Sequence, residues 1–322
     1  MHPVTANNMV ATAQQKSYKR GLRLMGNHFE ITVVADDEAY ADDCIDKAIA
    51  EIRRIEALLT TFKDASQTNQ VNSNARVKPV KVDAEVFNLI ERSVNISHLT
   101  QGAFDITYGS IDKSLWNFDQ NMKQLPDPEV AKEAVRLINY RNIELDKENS
   151  TVYLKEKGMR IGFGGIGKGY AADKAKQILQ QAGVASGIVN AAGDLVTWGM
   201  QPGGKPWTIA IADPNRKVPY FSKLNISNMA IATSGNYEKY VVIDGKKYSH
   251  TIDPHTGMPV TGIKSVSVIC PSAELADALA TPVTVMGVRV GLDLINQLKG
   301  IACLIVDDND QLHTSTNINL HQ

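Results

Sequence analysis

Residues 162–169 read GFGGIGKG, and the class of fold depends on which glycine-rich motif this run represents. The run satisfies the spacing GxGxxG of dinucleotide-binding folds and also the spacing GxxxxGK of P-loops. Glycines let a backbone approach a diphosphate closely, and the N–H groups at the start of a helix predicted from Tyr170 would direct positive charge toward it. A structural glycine turn, with Lys168 as a solvated surface charge, is the alternative interpretation.

The residues around this loop match neither motif in its usual setting. A P-loop places Ser or Thr after its lysine to hold magnesium, whereas Gly169 follows Lys168 here. The dinucleotide motif fits better, because a predicted strand precedes the loop and Asp194 lies near the expected distance downstream. That motif, however, normally opens a chain of alternating strands and helices, and here it falls between halves rich in hairpins. Clustered strands with intervening helices therefore predict an α+β fold.

Hydrophobic periodicity predicts the elements on either side of the loop, with Asp83 as one helix N-cap and Gly183 as a helix stop. Helices are predicted over residues 45–59, 84–99, 170–182, 273–286 and 289–298. Strands are predicted over residues 29–35, 143–145, 151–154, 187–189, 207–212, 230–233, 240–243, 248–252, 265–270 and 301–306. Residues 103–128 are predicted to be irregular.

The composition is that of an ordinary globular protein. The 322 residues are 43% hydrophobic and 21% charged, which excludes a disordered chain. The formal net charge of −1 supplies no broad basic field, so nucleic acid is not predicted as a partner and any phosphate must be bound by a local site. Residues 1–20 are predicted to be a flexible N-terminal tail and residues 21–322 a single domain. Cys44, Cys270 and Cys303 are far apart, which predicts buried free thiols.

No transmembrane segment is predicted. Residues 1–19 are polar and lack the apolar core of a signal peptide. No later stretch approaches the roughly 18 apolar residues that cross a bilayer. The chain as written is therefore expected in the cytoplasm.

Two further segments carry residues suited to metal and proton chemistry. Asp277 and Thr281 are four positions apart on a predicted helix, so their oxygens share one face, where Pro282 is expected to free backbone carbonyls. These oxygens suit Mg²⁺ when phosphates supply the other ligands, although an exposed polar face is the more ordinary meaning of such a pair. Within residues 249–259, His250 is either a core imidazole or a base for an attacking hydroxyl.

Taken in order along the chain, these segments resemble the ApbE family of flavin transferases. The resemblance covers roughly residues 22–306. The matching segments are Met25-Gly26, residues 102–107 (GAFDIT), residues 164–171 (GGIGKGYA) with Asp173, residues 232–235 (ATSG), Asp244-Gly245, residues 249–259 and residues 276–281 (ADALAT).

The resemblance implies an α+β, T-fold-related bilobal domain, with FAD between its lobes and Mg²⁺ on the pyrophosphate. The residues at positions that contact the flavin nucleotide in this family are Met25, Phe62, Ala103, Phe104, Asp105, Lys168 and Ile252. The residues at the magnesium-ligand positions are Gly165, through its carbonyl, Asp277 and Thr281. His250 matches the proposed catalytic base.

This chain departs from the usual family pattern at one position. The family commonly has an aspartate where this chain has Gly162, so one side-chain contact to the nucleotide is missing. Residues 253–257 faintly resemble the family's acceptor motif, but they belong to the enzyme's own site and are not predicted to be modified.

The implied reaction is a Mg-dependent transfer of FMN from FAD to a Ser or Thr hydroxyl of an acceptor, with release of AMP. By the same resemblance the acceptor is a flavoprotein subunit of an electron-transfer system. Three alternatives remain open: an FAD pyrophosphatase that yields free FMN and AMP, a non-catalytic flavin-binding protein, and a nicotinamide oxidoreductase. Transferases of this type are often exported, so removal of a signal segment would place the protein in the periplasm or on a lipoprotein anchor.

Overall fold

The computed structural model describes residues 15–115, 122, 124–211, 222–235 and 240–318. The α-helices are α1 (Glu38–Leu59), α2 (Gln67–Ser73), α3 (Ala84–Leu99), α4 (Pro128–Ala134), α5 (Gly167–Gln181) and α6 (Ala273–Asn296). The strands are β1 (Lys16–Leu24), β2 (Asn27–Ala35), β3 (Val80–Lys81), β4 (Ile143–Asp146), β5 (Thr151–Leu154), β6 (Gly187–Ala191), β7 (Asp194–Trp198), β8 (Trp207–Ile211), β9 (Ser222–Ile226), β10 (Ala230–Gly235), β11 (Tyr240–Ile243), β12 (Lys246–Ser249), β13 (Ile263–Cys270), β14 (Ala302–Asp307) and β15 (Leu312–Thr314). Short 3-10 turns cover Ile106–Ser110, Lys113–Leu115 and Tyr140–Asn142.

An eight-stranded sheet in the order β1-β2-β6-β7-β10-β13-β14-β15 forms the centre of the fold. Each neighbouring pair of its strands is antiparallel. In β2, Phe29, Ile31 and Val33 are fully buried, and the residues between them face the other side of the sheet, which is the alternation that predicted this strand. The doubly wound parallel sheet of a dinucleotide-binding fold is thus excluded, and the α+β prediction is confirmed.

The two faces of the sheet are covered by different elements. Helices α1, α5 and α6 pack on one face, and their apolar stripes join the inward residues of β2, β6 and β13 in one hydrophobic core. The hairpin β8–β9 covers the other face, where Leu195, Ile231 and Ile269 form a second, smaller core. The sheet is therefore buried on both faces.

Helix α5 begins at Gly167, three residues before the predicted start at Tyr170. Ile166 is its N-cap and makes no side-chain capping bond, so the sequence carries no start signal there. The predicted end is confirmed, because Gly183 has the left-handed φ of 93° that stops a helix.

Helix α6 consists of two helical pieces separated by Gly287, which has φ 80° and ψ 170°. This break confirms the two helices predicted over residues 273–286 and 289–298. The backbone stays helical at Pro282 and departs from helical geometry only at Gly287, and the expectation that Pro282 frees backbone carbonyls stays a prediction.

Among the described residues one helix, α6, is long and apolar enough to cross a membrane, by length and composition alone. Its residues Ala276, Leu279 and Val283 lie in the main core, and core helices of globular proteins satisfy the same composition test. The finding is therefore weak evidence for a membrane span.

Several predicted boundaries are wrong. The tail predicted through residue 20 ends earlier, because β1 begins at Lys16 and pairs with β2 along its whole length. The strand predicted over residues 248–252 ends at Ser249, and Ile252 makes only an isolated bridge to Pro259. Three predictions fall partly outside the described residues. These are the predicted tail at residues 1–14, the predicted irregular segment at residues 116–121 and 123, and the strand predicted over residues 207–212 at residue 212.

Candidate functional site

A cavity of about 1020 Å³ lies where five segments of the chain converge. Its wall is built from the β1–β2 turn, the loop after α1, residues 103–112, the glycine-rich loop and the segment after β12. Ten of the eleven residues predicted for the site line this cavity: Met25, Phe62, Ala103, Phe104, Asp105, Gly165, Lys168, His250, Ile252 and Thr281. Asp277, the remaining one, does not line the cavity and has its Oδ1 3.7 Å from the Nζ of Lys168. The structure thus brings together residues that are more than 250 positions apart in the sequence.

The glycine-rich loop forms one side of the cavity and leads directly into α5. Residues 162–165 line the cavity, and the N–H of Gly167 donates to the carbonyl of Phe163 at 2.7 Å as the helix begins. A Cβ on Gly162 would have only Thr61 nearby, at 3.9 Å, so the missing aspartate leaves open space on the wall.

Neither phosphate motif is present in its usual form. Gly169, where a P-loop has Ser or Thr, is buried, and a Cβ there would lie 2.1 Å from the carbonyl oxygen of Ala273. In the fully described run of residues 155–166 no strand precedes the loop, because β5 ends at Leu154 in a separate antiparallel sheet. The strand predicted next to the loop by the dinucleotide motif is therefore too far upstream, and that interpretation is wrong. The absence of a side chain at Gly169 instead allows α5 to pack closely against α6.

Beneath the loop, Lys168 lies between two buried carboxylates. Its Nζ contacts Oδ2 of Asp194 directly and is 3.7 Å from Oδ1 of Asp277. The other oxygen of Asp277 accepts a hydrogen bond of 3.0 Å from the Gly169 N–H. Asp194 and Asp277 are 3% and 6% exposed, so two carboxylates share one ammonium in a nearly dry environment.

This crowding shifts all three protonation equilibria. Burial, reinforced by the charge of Asp277, raises the pKa of Asp194 to about 7. Burial also raises the pKa of Asp277, although Lys168 and the Gly169 N–H oppose the shift. For Lys168, burial lowers the pKa, but the attraction of both carboxylates outweighs burial and raises it above its ordinary value. The cluster therefore favours additional positive charge.

Asp194 is a site residue that the sequence analysis missed. Its spacing from the glycine-rich loop suggested only the acidic residue of a dinucleotide-binding fold. In the structure it begins β7 directly after the tight turn at Ala192 and Gly193, and its carboxylate points to Lys168. Its contact with Lys168, 26 positions away, is tertiary, so spacing along the chain could not reveal it.

The three residues at predicted magnesium positions offer oxygen atoms of different kinds. Gly165 offers a carbonyl, Thr281 a hydroxyl and Asp277 a carboxylate, and Asp277 and Thr281 share one face of α6 as predicted. These are hard donors that fit Mg²⁺. Among the described residues, no group of three or more His, Cys, Asp or Glu side chains could hold a metal. This donor set fits a cation that also takes ligands from a phosphate.

Asp105 lies on the cavity wall with its carboxylate already engaged by the protein. Oδ1 accepts from the N–H and the hydroxyl of Thr107 at 2.8 and 2.6 Å, and Oδ2 accepts from the N–H of Tyr140 at 2.9 Å. Burial raises its pKa despite these bonds. Asp105 thus fixes the loop that carries Ala103 and Phe104, and its contact to a nucleotide remains a prediction.

His250 is exposed on the cavity wall immediately after the β11–β12 hairpin. Asp244 and Gly245 have φ values of 50° and 75°, the left-handed pair that closes a two-residue hairpin, so this predicted hairpin turn is confirmed. The core-imidazole interpretation of His250 is wrong, because the residue faces the cavity.

Phe62 and Phe104 are two aromatic residues of the wall with opposite exposure. Phe104 is 6% exposed and belongs to the main core, whereas Phe62 is 96% exposed. Phe62 thus offers exposed apolar surface at the wall of the cavity.

The comparison with protein families and solved structures gives one consistent result. The model of the ApbE family matches residues 25–305. The chain is 30% identical over 298 residues to an FAD:protein FMN transferase of Klebsiella pneumoniae (strain 342), covering 91% of this chain and 85% of that protein. It is 29% identical over 323 residues to an FAD:protein FMN transferase of Treponema pallidum (strain Nichols), covering 95% and 89%.

Two crystal structures share its fold. The ApbE protein of Thermotoga maritima superposes with a TM-score of 0.83 at 31% identity, covering 94% of this chain and 97% of that one. The apo form of the flavinyl transferase ApbE of Pseudomonas stutzeri superposes with a TM-score of 0.82 at 26% identity, covering 95% and 97%. The likeness therefore extends over nearly the whole chain.

Proposed function

The chain belongs to the ApbE family, and on that premise we propose that it is an FAD:protein FMN transferase, an enzyme that moves the FMN group of FAD onto another protein. Ten residues from distant parts of the sequence converge on one cavity of about 1020 Å³, and this is the observation that carries the proposal. That volume suits a substrate as large as a dinucleotide.

The cavity wall supports a division of roles in substrate binding. Met25, Phe62, Phe104 and Ile252 offer apolar surface for the rings of FAD, as aromatic and aliphatic side chains do for flat ligands. Lys168 and the backbone N–H groups at the start of α5 offer positive charge for the diphosphate. We assign Gly165, Asp277 and Thr281 to Mg²⁺, which when bound neutralises negative charge on the diphosphate.

The proposed reaction is a phosphoryl-group transfer. A Ser or Thr hydroxyl of the acceptor attacks the FMN-side phosphorus, a new O–P bond forms, and the bridging P–O bond to AMP breaks. His250 accepts the hydroxyl proton, and AMP leaves with the electron pair of the broken bond. Such transfers depend mainly on positioning and electrostatic stabilisation, which is what buried charges near the loop would supply. The proposed acceptor is a flavoprotein subunit of an electron-transfer system.

Mass spectrometry of an acceptor protein tests the proposal. The protein is incubated with FAD, Mg²⁺ and the acceptor, and the expected result is an acceptor that has gained one covalent FMN while AMP appears in equal amount. Omitting Mg²⁺ is the matched control and should abolish the gain. Free FMN and AMP with an unmodified acceptor would instead identify a pyrophosphatase. Intact FAD that stays bound would identify a non-catalytic flavin-binding protein.

A further inference from the structure

We infer that Asp194 is a positioning residue: it holds the Lys168 ammonium away from Asp277 and so keeps the Asp277 carboxylate available to a divalent cation. This inference rests on the proposed function, because it takes Asp277 as a ligand. It adds a residue that belongs to neither the proposed ligand set nor the cavity wall.

The geometry places Lys168 unequally between its two partners. Its Nζ is in direct contact with Asp194, whereas 3.7 Å separates it from the nearest oxygen of Asp277. Asp277 uses its other oxygen for the Gly169 N–H at 3.0 Å. The Asp277 oxygen nearest Lys168 is therefore the one that a cation arriving from the Thr281 side would need.

The position of Asp194 is fixed by backbone geometry. The residue pairs with Ala191 across the tight β6–β7 turn, where Ala192 and Gly193 have φ values of 55° and 101°. Asn190 strengthens this turn, because its Oδ1 accepts a 2.8 Å hydrogen bond from the Gly193 N–H. With its side chain 5% exposed, Asp194 is held rigidly under Lys168 and cannot swing into the cavity as a ligand itself.

Charge counting explains why this placement matters. When both carboxylates are ionised, the single ammonium leaves one negative charge uncompensated, and that charge attracts a cation in a site with little water. Without Asp194, the nearest carboxylate left to Lys168 in this cluster is that of Asp277. A lysine seated on Asp277 would then compete directly with the metal.

A simpler hypothesis is that Asp194 attracts the cation over distance through its charge alone. The two hypotheses differ in their dependence on Lys168. If Asp194 acts through Lys168, removing the ammonium must remove the effect of Asp194; if Asp194 acts directly, the effect must persist.

A double-mutant cycle on Mn²⁺ binding separates them. Free Mn²⁺ is measured by its EPR signal in the full chain without FAD or acceptor, so that a contact of Lys168 with the diphosphate does not affect the result, for the wild type, Asp194→Asn, Lys168→Met and the double variant. We expect Asp194→Asn to weaken Mn²⁺ binding roughly tenfold, a coupling typical of contacting charges. Lys168→Met should bind Mn²⁺ at least as tightly as the wild type, and Asp194→Asn should have little further effect in that background.

The inference would be overturned if Asp194→Asn weakened Mn²⁺ binding as much in the Lys168→Met background as in the wild type. It would also be overturned if Lys168→Met alone bound Mn²⁺ more weakly than the wild type. The second outcome is informative even if Asp194→Asn does not fold. Asp277→Asn serves as the separate test of the proposed ligand set, because its amide keeps an acceptor for the Gly169 N–H while removing the charge. Unchanged Mn²⁺ binding by Asp277→Asn would refute the metal site itself, whatever Asp194 does.

Discussion

The Oδ2 atom of Asp277 accepts a hydrogen bond of 3.0 Å from the backbone N–H of Gly169. This single contact joins the first turn of α5, which follows the glycine-rich loop, to α6, which carries the proposed metal ligands. The two helices approach so closely that a Cβ on Gly169 would lie 2.1 Å from the Ala273 carbonyl oxygen and 2.9 Å from the Asp277 Cβ. The loop and the ligand helix are therefore positioned by the same packing.

Gly169→Ala should destabilise the protein by about 1–3 kcal/mol, the usual cost of forcing an extra methyl group into a packed interior. The methyl group would meet backbone atoms of Ala273, which cannot rotate away as a side chain can. Urea unfolding followed by circular dichroism measures the difference. Gly164→Ala is the matched control in the same loop, since a Cβ there would have no heavy atom within 4 Å. Equal midpoints for the two variants would contradict the packing argument.

The three cysteines should resist thiol reagents while the protein is folded. All three are buried and free, as the sequence predicted. Burial raises the pKa of Cys270 to about 11 and that of Cys303 to about 12, and the thiolate is the reactive form. At pH 8 we expect no rapid reaction with a disulfide reagent in buffer and three equivalents in guanidinium chloride. One fast equivalent in the folded protein would show that a thiol is accessible.

The same thiols give stability a defined pH dependence. Between the ordinary thiol pKa of about 8.5 and the raised values, the folded state binds more protons than the unfolded state. Stability from this source is therefore complete below about pH 8.5 and falls as the pH rises toward 11. Cys270→Ala should reduce the loss of stability at alkaline pH. Urea unfolding at pH 8 and at pH 10 measures this loss for the variant and the wild type.

Local patterns in the sequence predicted the elements whose burial is one-sided and periodic. Strand β2 alternates between buried and partly exposed residues from Phe29 to Val33, and α1 buries Ile45, Ile49 and Ile52 at helical spacing. Strand β1 escaped prediction because it lies at the edge of the sheet, where only Leu24 is buried and charged residues such as Arg23 are exposed to water. The sequence pattern of such a strand is that of a polar tail, and only its pairing with β2 identifies it as a strand.

The candidate site likewise contains residues that local sequence patterns predict and residues that they do not. The motifs that resemble the ApbE family contain nine of the ten predicted residues on the cavity wall, and Phe62 lies outside them. The partner of Lys168 could not be found in this way, since Asp194 belongs to a turn whose local sequence gives no reason for a buried carboxylate. The exposure of Phe62 was equally hidden, because a phenylalanine after a helix is ordinarily expected in the core.

Phe62→Ala should weaken FAD binding without weakening the fold. Because the side chain is 96% exposed, the free energy of unfolding should change by no more than about 0.5 kcal/mol. Stacking of an aromatic side chain on a flat ring contributes about 1–3 kcal/mol to binding, so the dissociation constant for FAD should rise roughly 5- to 150-fold. Quenching of flavin fluorescence measures it. Phe62→Trp should retain binding, and Val77→Ala, at another exposed apolar residue, should leave it unchanged.

His250→Ala should lower the rate of FMN transfer by about 10²- to 10⁴-fold, the range that a lost general base typically causes. The side chain is exposed on the cavity wall, so the fold and the affinity for FAD should change little, and the loss should appear in kcat rather than KM. Acceptor flavinylation followed over time by mass spectrometry provides both constants. His313→Ala is the control, because His313 lies on β15, bonds Asp307 at the end of β14 and does not line the cavity. Equal rates for both variants would remove His250 from the mechanism.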